Sequence, residues 1–250
     1  MTRTRLLLPI VSLACALPFT LAPAPRLLAA ADLSAEAGWA VLFDGRSLQG
    51  WRGYRQPDAA RTRWQVADGL LTLPPKGAGE KSVDIITTET FDRFDLEFEW
   101  RVSPGGNSGV KYFVLEDRDS AVGHEYQIID DAGHADAKVG AHRQTAAFYD
   151  VLPPRIPAGT IKPAGEWNRG RVRVEGSAAG AGGARVLHEV NGVRVLDYEL
   201  DSPELRAAIA RSKFKDVARF GKLQKGHILL QDHNDQVWYR NVRIQRLGTT

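Results

Sequence analysis

Apolar and polar residues alternate along many short segments of this chain, and glycine, proline, asparagine and aspartate separate those segments. The longest alternating segment is Phe94–Val102, where Asp95, Glu97, Glu99 and Arg101 fall between apolar neighbours. Because successive side chains of a strand point to opposite faces, this segment predicts a strand with one face in the core and one charged face. The charged face is interpreted either as a solvated outer surface or as part of a binding site.

Further strands are predicted wherever the same alternation returns after a turn. Ala67-Asp68-Gly69 separates two apolar segments and predicts a hairpin turn. The remaining predicted strands are Val110–Leu115, Glu125–Ile129, Arg171–Glu175, Arg185–Val190, Ile228–Gln231 and Val237–Leu247, the last with a change of phase near Asn241. Short strands at this spacing predict an all-β protein, an antiparallel β-sandwich.

One short helix is predicted near residues 202–212. Ser202 is a favourable N-cap residue, Pro203 suits the first turn, and Leu205 and Ala208 share one face. We expect this helix to cross one edge of the sandwich.

Residues 1–31 have the features of a secretory signal peptide. Arg3 and Arg5 precede an apolar segment, and Ala29-Ala30-Ala31 offers a small-residue cleavage site. The sequence therefore predicts a periplasmic or secreted protein, with cleavage near Ala31 and a single domain over residues 32–250. The apolar segment is short and contains prolines, so no membrane span is expected.

Cleavage of the predicted leader would remove the excess of positive charge. The 250-residue chain has 33 Lys and Arg against 30 Asp and Glu, and the leader contains Arg3, Arg5 and Arg26 but no acid. A neutral domain gives no electrostatic reason to expect a nucleic acid partner. Cys15 is the only cysteine, so the cleaved chain would have no disulfide and no thiolate nucleophile. Ser12-Leu13-Ala14-Cys15 is a poor lipoprotein signal, which makes lipoprotein processing the less favoured alternative.

Several predicted strands each place hydrogen-bonding side chains on one face. Glu125 and Gln127 share a face, and so do Gln231 and His233 at the end of another strand. A polar sheet face of this kind is typical of carbohydrate binding, where carboxylates and amides bind hydroxyls and aromatic rings stack on the sugar.

A loop at Asp130–Asp136 contains three aspartates and His134. This composition is compatible with a divalent metal ion, but the spacing matches neither an EF-hand loop nor the His-Glu-x-x-His motif. The alternative is a turn whose acids bind local backbone amides. The sequence therefore leaves the metal ligands unassigned and establishes no cofactor.

Several ordered motifs resemble the bacterial 3-keto-disaccharide hydrolase family. The first is Phe43-Asp44-Gly45-Arg46-Ser47-Leu48-Gln49-Gly50-Trp51. The others are Pro104–Phe113, Glu125–Asp131, Pro163–Asn168, Asn191-Gly192-Val193, and Gly226–His233 followed by Val237–Ile244. Together they extend over about residues 39–247, nearly all of the predicted domain.

The resemblance implies a concanavalin-like jelly roll that acts on glycosides whose C3 hydroxyl has been oxidised to a ketone, and a functional link to a sugar 3-dehydrogenase. A C3 ketone acidifies the C2 proton, so a base can form an enolate that expels the C1 substituent, after which water adds. The alternatives are a non-catalytic carbohydrate-binding module and, less favoured, a retaining β-glucanase.

Motif and strand face together nominate residues for this chemistry. Glu125 or His233 is the predicted base, and Lys111 is the predicted positive charge for the enolate, a role that a bound divalent metal could also take. The predicted sugar ligands are Glu99, Arg101, Asn107, Gln127, Tyr149, Gln231 and Trp238. Five of the nominated residues are expected to face one cleft: Glu99, Arg101, Lys111, Glu125 and His233.

Overall fold

A computed structural model describes residues 38–176 and 183–248. The predicted signal peptide at residues 1–31 lies outside the described residues. No helix among the described residues is long and apolar enough to cross a membrane.

Thirteen strands within residues 38–176 and 183–248 form two antiparallel sheets. In chain order they are β1 (Trp39–Val41), β2 (Trp51–Gly53), β3 (Gln65–Ala67), β4 (Leu70–Leu73), β5 (Ile85–Thr87), β6 (Phe94–Val102), β7 (Asn107–Val114), β8 (His124–Ile129), β9 (Asn168–Gly176), β10 (Ala184–Val190), β11 (Val193–Glu199), β12 (His227–Leu230) and β13 (Val237–Arg246). The large sheet has the order β11-β10-β9-β6-β13-β4-β3, with β1 also paired to β13, and the small sheet has the order β2-β5-β12-β7-β8.

The two sheets enclose the hydrophobic core. From the large sheet, β6 contributes Phe94, Leu96 and Phe98, and from the small sheet, β7 and β8 contribute Val110 and Tyr126. All five side chains are buried. The predicted all-β jelly-roll sandwich is confirmed, and so is the predicted alternation along β6.

Two local predictions are also confirmed. The hairpin turn between β3 and β4 places Asp68 and Gly69 at positive φ, as a tight turn requires. The phase change in β13 is a bulge between Arg240 and Arg243, where Asn241 has a φ of 52°. The bulge restores Val242 to the core side.

The only α-helix among the described residues is α1 (Pro203–Ile209). The Ser202 side chain accepts a hydrogen bond from the Leu205 amide, which confirms the predicted N-cap. The helix ends three residues before the predicted limit, and turns follow it. Two short 3-10 helices, Asp136–Lys138 and Ala141–Arg143, lie in the segment after β8.

Candidate functional site

Three neighbouring strands of the small sheet align their outward-facing residues in rows. Strand pairing places Leu229, Lys111 and Glu125 side by side across β12, β7 and β8. The next row is Gln231, Gly109 and Gln127, since the Gln231 amide donates to the Gly109 carbonyl and Gly109 pairs with Gln127.

These side chains point away from the core because their strand neighbours point into it. In β7, Val110 and Tyr112 belong to the core, and in β8, Tyr126 and Ile128 do so. The following row contains Asn107, paired with Ile129. We call the group formed by Asn107, Gly109, Lys111, Glu125, Gln127, Gln231 and the nearby His233 the small-sheet site.

Gly109 forms the floor of the small-sheet site. A Cβ atom at this position would overlap Oε1 of Glu125, so the carboxylate lies directly over the glycine backbone. Glycine is therefore required at position 109 because it has no side chain: the Glu125 carboxylate occupies the volume that a larger residue would fill.

Glu125 is a buried carboxylate with a cation nearby. Its side chain is 6% exposed, and its Oε2 lies 3.9 Å from Nζ of Lys111, which also donates to the Ala121 carbonyl at 3.1 Å. Burial raises the pKa of Glu125, while the charges of Lys111 and Lys213 act in the opposite direction. A carboxyl group with a raised pKa is suited to accepting and returning a proton near neutral pH.

Two amide oxygens of the site are buried without partners. Within residues 38–176 and 183–248, neither Oδ1 of Asn107 nor Oε1 of Gln231 accepts a hydrogen bond. Gln127 is also buried, and its Oε1 accepts from the Ile128 amide at 3.2 Å. Unsatisfied buried acceptors cost free energy, and a substrate hydroxyl would satisfy them.

Residues 146–149, in the segment after β8, extend the small sheet and form one wall of the site. The Tyr149 amide donates to the Glu125 carbonyl, and the Tyr149 hydroxyl donates to Asp136 at 2.8 Å. Asp136 also accepts from Arg143 at 2.7 Å, and Nζ of Lys213 lies 4.2 Å from the centre of the Tyr149 ring. Burial, and then the Asp136 hydrogen bond, raise the pKa of Tyr149, so its hydroxyl keeps its proton.

His233 lies at the more exposed edge of the site. Its side chain is 45% exposed, and its Nδ1 is 4.0 Å from Oδ2 of Asp235. The His134 ring packs edge-on against it with centroids 6.0 Å apart. Polar atoms of His134, His233 and Asp235 all lie within 4.8 Å of one another, close enough to share a metal ion.

The side chains of the three aspartates in the Asp130–Asp136 loop bind partners other than His134 and His233. Asp130 accepts from the Gly105 and Ala132 amides, Asp131 accepts from the Thr145 amide, and Asp136 binds the Arg143 and Tyr149 side chains. Two of the three acids therefore bind backbone amides, which agrees with the alternative interpretation of this loop as a turn whose acids bind local backbone amides.

Three predicted sugar ligands lie elsewhere, and the expectation of one shared cleft is wrong for Glu99 and Arg101. Glu99, Arg101 and Trp238 lie on the outer face of the large sheet, because their neighbours in β6 and β13 point into the core between the sheets. Glu99 binds Arg240 at 2.7 Å and Asn241 at 2.8 Å. Arg101 stacks on the Trp238 ring, 4.1 Å from its centre.

Sequence reasoning missed Asp84 and Lys213. Asp84 directly precedes the three-residue strand β5, which is too short to produce an alternating pattern. It accepts a hydrogen bond from the Asp232 amide at 2.8 Å. Burial raises the pKa of Asp84, against the charges of Lys111 and His233. Lys213 lies beyond α1 and carries no motif that indicates a site.

Two other histidines are buried between the sheets. His188 binds the Tyr112 hydroxyl at 3.0 Å, and His124 accepts from the Gly221 amide at 3.0 Å. Burial lowers the pKa of His124 to about 3 and that of His188 to about 4, so both are neutral at physiological pH. These histidines belong to the core.

The site combines a buried carboxylate, a neighbouring ammonium group, unpaired amide oxygens and an accessible imidazole on one sheet face. Such a set can bind several hydroxyl groups and transfer protons, which defines a carbohydrate-active β-sandwich protein. The model of the family of 3-keto-α-glucoside-1,2-lyase-like domains matches residues 38–245, and the chain belongs to this family.

Individual relatives agree with this assignment. The chain is 35% identical over 238 residues to a 3-keto-disaccharide hydrolase from Bacteroides thetaiotaomicron, in an alignment that covers 84% of this chain and 79% of that protein. A crystal structure of a protein assigned as a glycosyl hydrolase, from Parabacteroides distasonis, matches with a TM-score of 0.73 at 27% identity, covering 87% of this chain and 97% of that one. A second structure from the same organism, with 24% identity and a TM-score of 0.60, covers 84% of each chain and supports the fold.

Proposed function

We propose that this protein cleaves the glycosidic bond of 3-keto-disaccharides by elimination followed by hydration. The relative from Bacteroides thetaiotaomicron carries this substrate in its name, and the family description specifies a 1,2-lyase. Both descriptions fit one sequence of steps, because elimination across C1 and C2 followed by addition of water gives net hydrolysis.

The buried carboxylate of Glu125 is the observation that carries the mechanism. Glu125 removes the proton from C2, and the electron pair of the C–H bond forms the enolate of the C3 ketone. The enolate then expels the oxygen at C1 and leaves an enone, to which water adds with its hydroxyl at C1 and a proton at C2. Burial raises the pKa of Glu125, which makes its carboxylate a stronger base than an exposed one.

The other side chains of the small-sheet site bind and polarise the sugar. Lys111 supplies positive charge 3.9 Å from the base and stabilises the enolate as it forms. Asn107 and Gln231 offer unpaired buried oxygens to sugar hydroxyls, while Gln127 and Tyr149 line the same face. Of the two bases predicted from the sequence, the buried Glu125 is favoured over the exposed His233.

We infer that the protein acts outside the cytoplasm, on a substrate that has already been oxidised. The predicted leader at residues 1–31 supports export to the periplasm or the medium. A C3 ketone must be made by oxidation of a C3 hydroxyl, so a sugar 3-dehydrogenase would supply the substrate.

A deuterium-labelled substrate tests the elimination step. We expect the purified protein to cleave a 3-keto-disaccharide, to leave the unoxidised disaccharide intact, and to cleave substrate deuterated at C2 more slowly. We expect breaking of the C2–H bond to limit the turnover of bound substrate, and this gives the isotope effect. Single-turnover measurements separate this step from substrate binding and product release.

Direct displacement at C1 would give a different result. Cleavage of both the oxidised and the unoxidised disaccharide, with no C2 isotope effect, would contradict the elimination route. Binding of the 3-keto sugar with no cleavage would contradict the enzymatic function altogether and would favour a binding module.

A further inference from the structure

His134, His233 and Asp235 form a cluster that the steps above leave without a role. The elimination still needs an acid for the departing oxygen at C1, because a sugar alkoxide is a poor leaving group. The cluster adjoins the small-sheet site, since the backbone amide of Asn107 donates to Oδ2 of Asp235 at 3.0 Å. Asn107 is two residues from Gly109 along β7, roughly 6.6 Å.

The hydrogen bond at His134 decides between a metal site and a proton-transfer site. The Asp136 amide donates to Nδ1 of His134 at 3.0 Å, so the neutral ring carries its proton on Nε2. A metal-binding histidine has the opposite arrangement: one nitrogen ligates through its lone pair, and the other donates its proton to an acceptor. The one lone pair of the neutral His134 ring is therefore already used by the Asp136 amide, and the cluster does not fit a metal ion.

Glu125 and His233 differ in how far their side chains are exposed to solvent. The Glu125 side chain is 6% exposed and lies over the sheet, whereas the His233 side chain is 45% exposed. A base that acts on a carbon-bound proton benefits from exclusion of water, while the leaving alcohol must depart to solvent. The exposed edge at His233 is the side from which an aglycone can leave.

We propose that His233 is the general acid of the reaction and that Asp235 and His134 are positioning residues that orient its ring. This assignment rests on the proposed function. As the C1–O bond breaks, its electron pair stays on the departing oxygen, and the His233 imidazolium gives that oxygen a proton. When water then adds, neutral His233 takes a proton from the water, its hydroxyl bonds to C1, and Glu125 returns its proton to C2, so both groups regain their starting states.

Dependence on the leaving group tests the assignment. The probes are a 3-keto-disaccharide, whose leaving group is a sugar alcohol, and the 3-keto-glucoside of p-nitrophenol, whose leaving group needs no acid. We expect His233→Ala to lower kcat/KM on the disaccharide by about 10²- to 10⁴-fold, and on the nitrophenyl glycoside by less than about tenfold. Asp235→Asn is expected to show a smaller loss with the same leaving-group dependence.

His142→Ala is the matched control. This histidine is 38% exposed and lies 3.8 Å from a carboxylate oxygen of Asp150, so it resembles His233 in exposure and in partner. We expect the control to keep the parent's activity on both substrates. A chelator is expected to leave the parent's activity unchanged.

Three outcomes would overturn the assignment. Equal losses on both substrates in His233→Ala would exclude an acid role but leave the proposed elimination intact. Loss of activity with a chelator, restored by Zn²⁺ or Mn²⁺ in the parent but not in His134→Ala, would make the cluster a metal site. Failure of the parent protein to cleave either substrate would overturn the proposed function and this assignment together.

Discussion

The two outer faces of the sandwich both carry buried carboxylates, but Asp95 and Glu97 on the large sheet are paired differently from Glu125 on the small sheet. On the large sheet, Asp95 accepts from Arg171 and Arg173, each at 2.7 Å. Glu97 in the same strand binds Arg243 and Arg169, each at 2.7 Å. On the small sheet, Glu125 has its nearest described cation 3.9 Å away.

The difference supports the proposal that the chemistry takes place on the small-sheet face. Carboxylates that bind arginines in adjacent strands hold those strands together and have little remaining capacity for a ligand. Buried groups without close partners cost stability, and a fold retains them where a substrate satisfies them. The loose pairing of Glu125, more than the number of charges, favours the small sheet as the proposed active face.

The largest expected effect comes from replacing one buried glutamate on each face, Glu125 or Glu97, by glutamine. Glu125→Gln removes the proposed base and should lower kcat by about 10²- to 10⁴-fold. Because burial raises the pKa of Glu125, folding at neutral pH opposes its ionisation, and the neutral amide removes that cost. The melting temperature should therefore stay unchanged or rise. Turnover of a 3-keto-disaccharide and thermal unfolding measure the two effects.

Glu97→Gln is the matched change on the large sheet. Glu97 is 7% exposed and bound by two arginines, so its loss should destabilise the fold by about 1.5–3 kcal/mol. The folded variant should turn over substrate like the parent. A loss of activity in Glu97→Gln comparable to that in Glu125→Gln would remove the distinction between the faces.

The second largest effect concerns Gly109 and Gly170, two glycines in strands. Gly109 faces a carboxylate, and Gly170 faces an aromatic ring. In Gly109→Ala the new methyl group meets the Glu125 carboxylate, which must move. Displacement of a catalytic group by about 1 Å can cost about 10²-fold in rate, so we expect kcat to fall by roughly 10- to 100-fold with little change in stability.

In Gly170→Ala the new methyl group meets the buried ring of Phe98 in the core. Overpacking there should lower the free energy of unfolding by about 1–3 kcal/mol and leave kcat intact. Denaturant unfolding and steady-state kinetics on both variants make the comparison. A Gly109→Ala variant with the parent's kcat would show that the position of the Glu125 carboxylate does not matter.

The alternation of residues predicts much of this fold but cannot tell the two faces apart. The pattern of β6 correctly separates its core side from its charged side, and the register of β13 follows with its bulge near Asn241. Alternation gives only two sides for each strand, however, and does not say which sheet a strand joins. Glu99 and Lys111 therefore looked equivalent, although strand pairing puts them on opposite surfaces of the sandwich.

The parts of the site that the sequence did not predict come from contacts between distant segments. Asp84 joins the site through the Asp232 amide, 148 residues away, and Lys213 joins it by packing over Tyr149. Such contacts depend on tertiary packing and leave no periodic pattern. The motif at Gly226–His233 indicated His233, but only the hydrogen bond from the Asp136 amide to His134 shows how the neighbouring ring is oriented.

A smaller effect, of opposite sign on the two faces, is expected for stability. Gln231→Met replaces a buried oxygen without a described partner by an apolar group of similar shape, and should stabilise the fold by about 1 kcal/mol while it raises KM. Asp95→Asn, on the large sheet, breaks bonds to two arginines and should destabilise the fold by about 2 kcal/mol with KM unchanged. Loss of stability in Gln231→Met would mean that this oxygen contributes to folding.

The smallest expected effect is a displacement of the acid limb of the pH profile. Glu125 must be ionised to act as the base, and burial raises its pKa, so kcat/KM should begin to fall at a higher pH than for an ordinary glutamate as the solution is acidified. Lys111 lowers the same pKa, so Lys111→Met should move the limb to still higher pH, whatever its effect on the maximal rate. Arg240→Met removes a cation that binds Glu99 on the other face and should leave the limb in place. Profiles of kcat/KM over about pH 4–8 make this comparison, and an acid limb that stays fixed in Lys111→Met would exclude Glu125 as the titrating base.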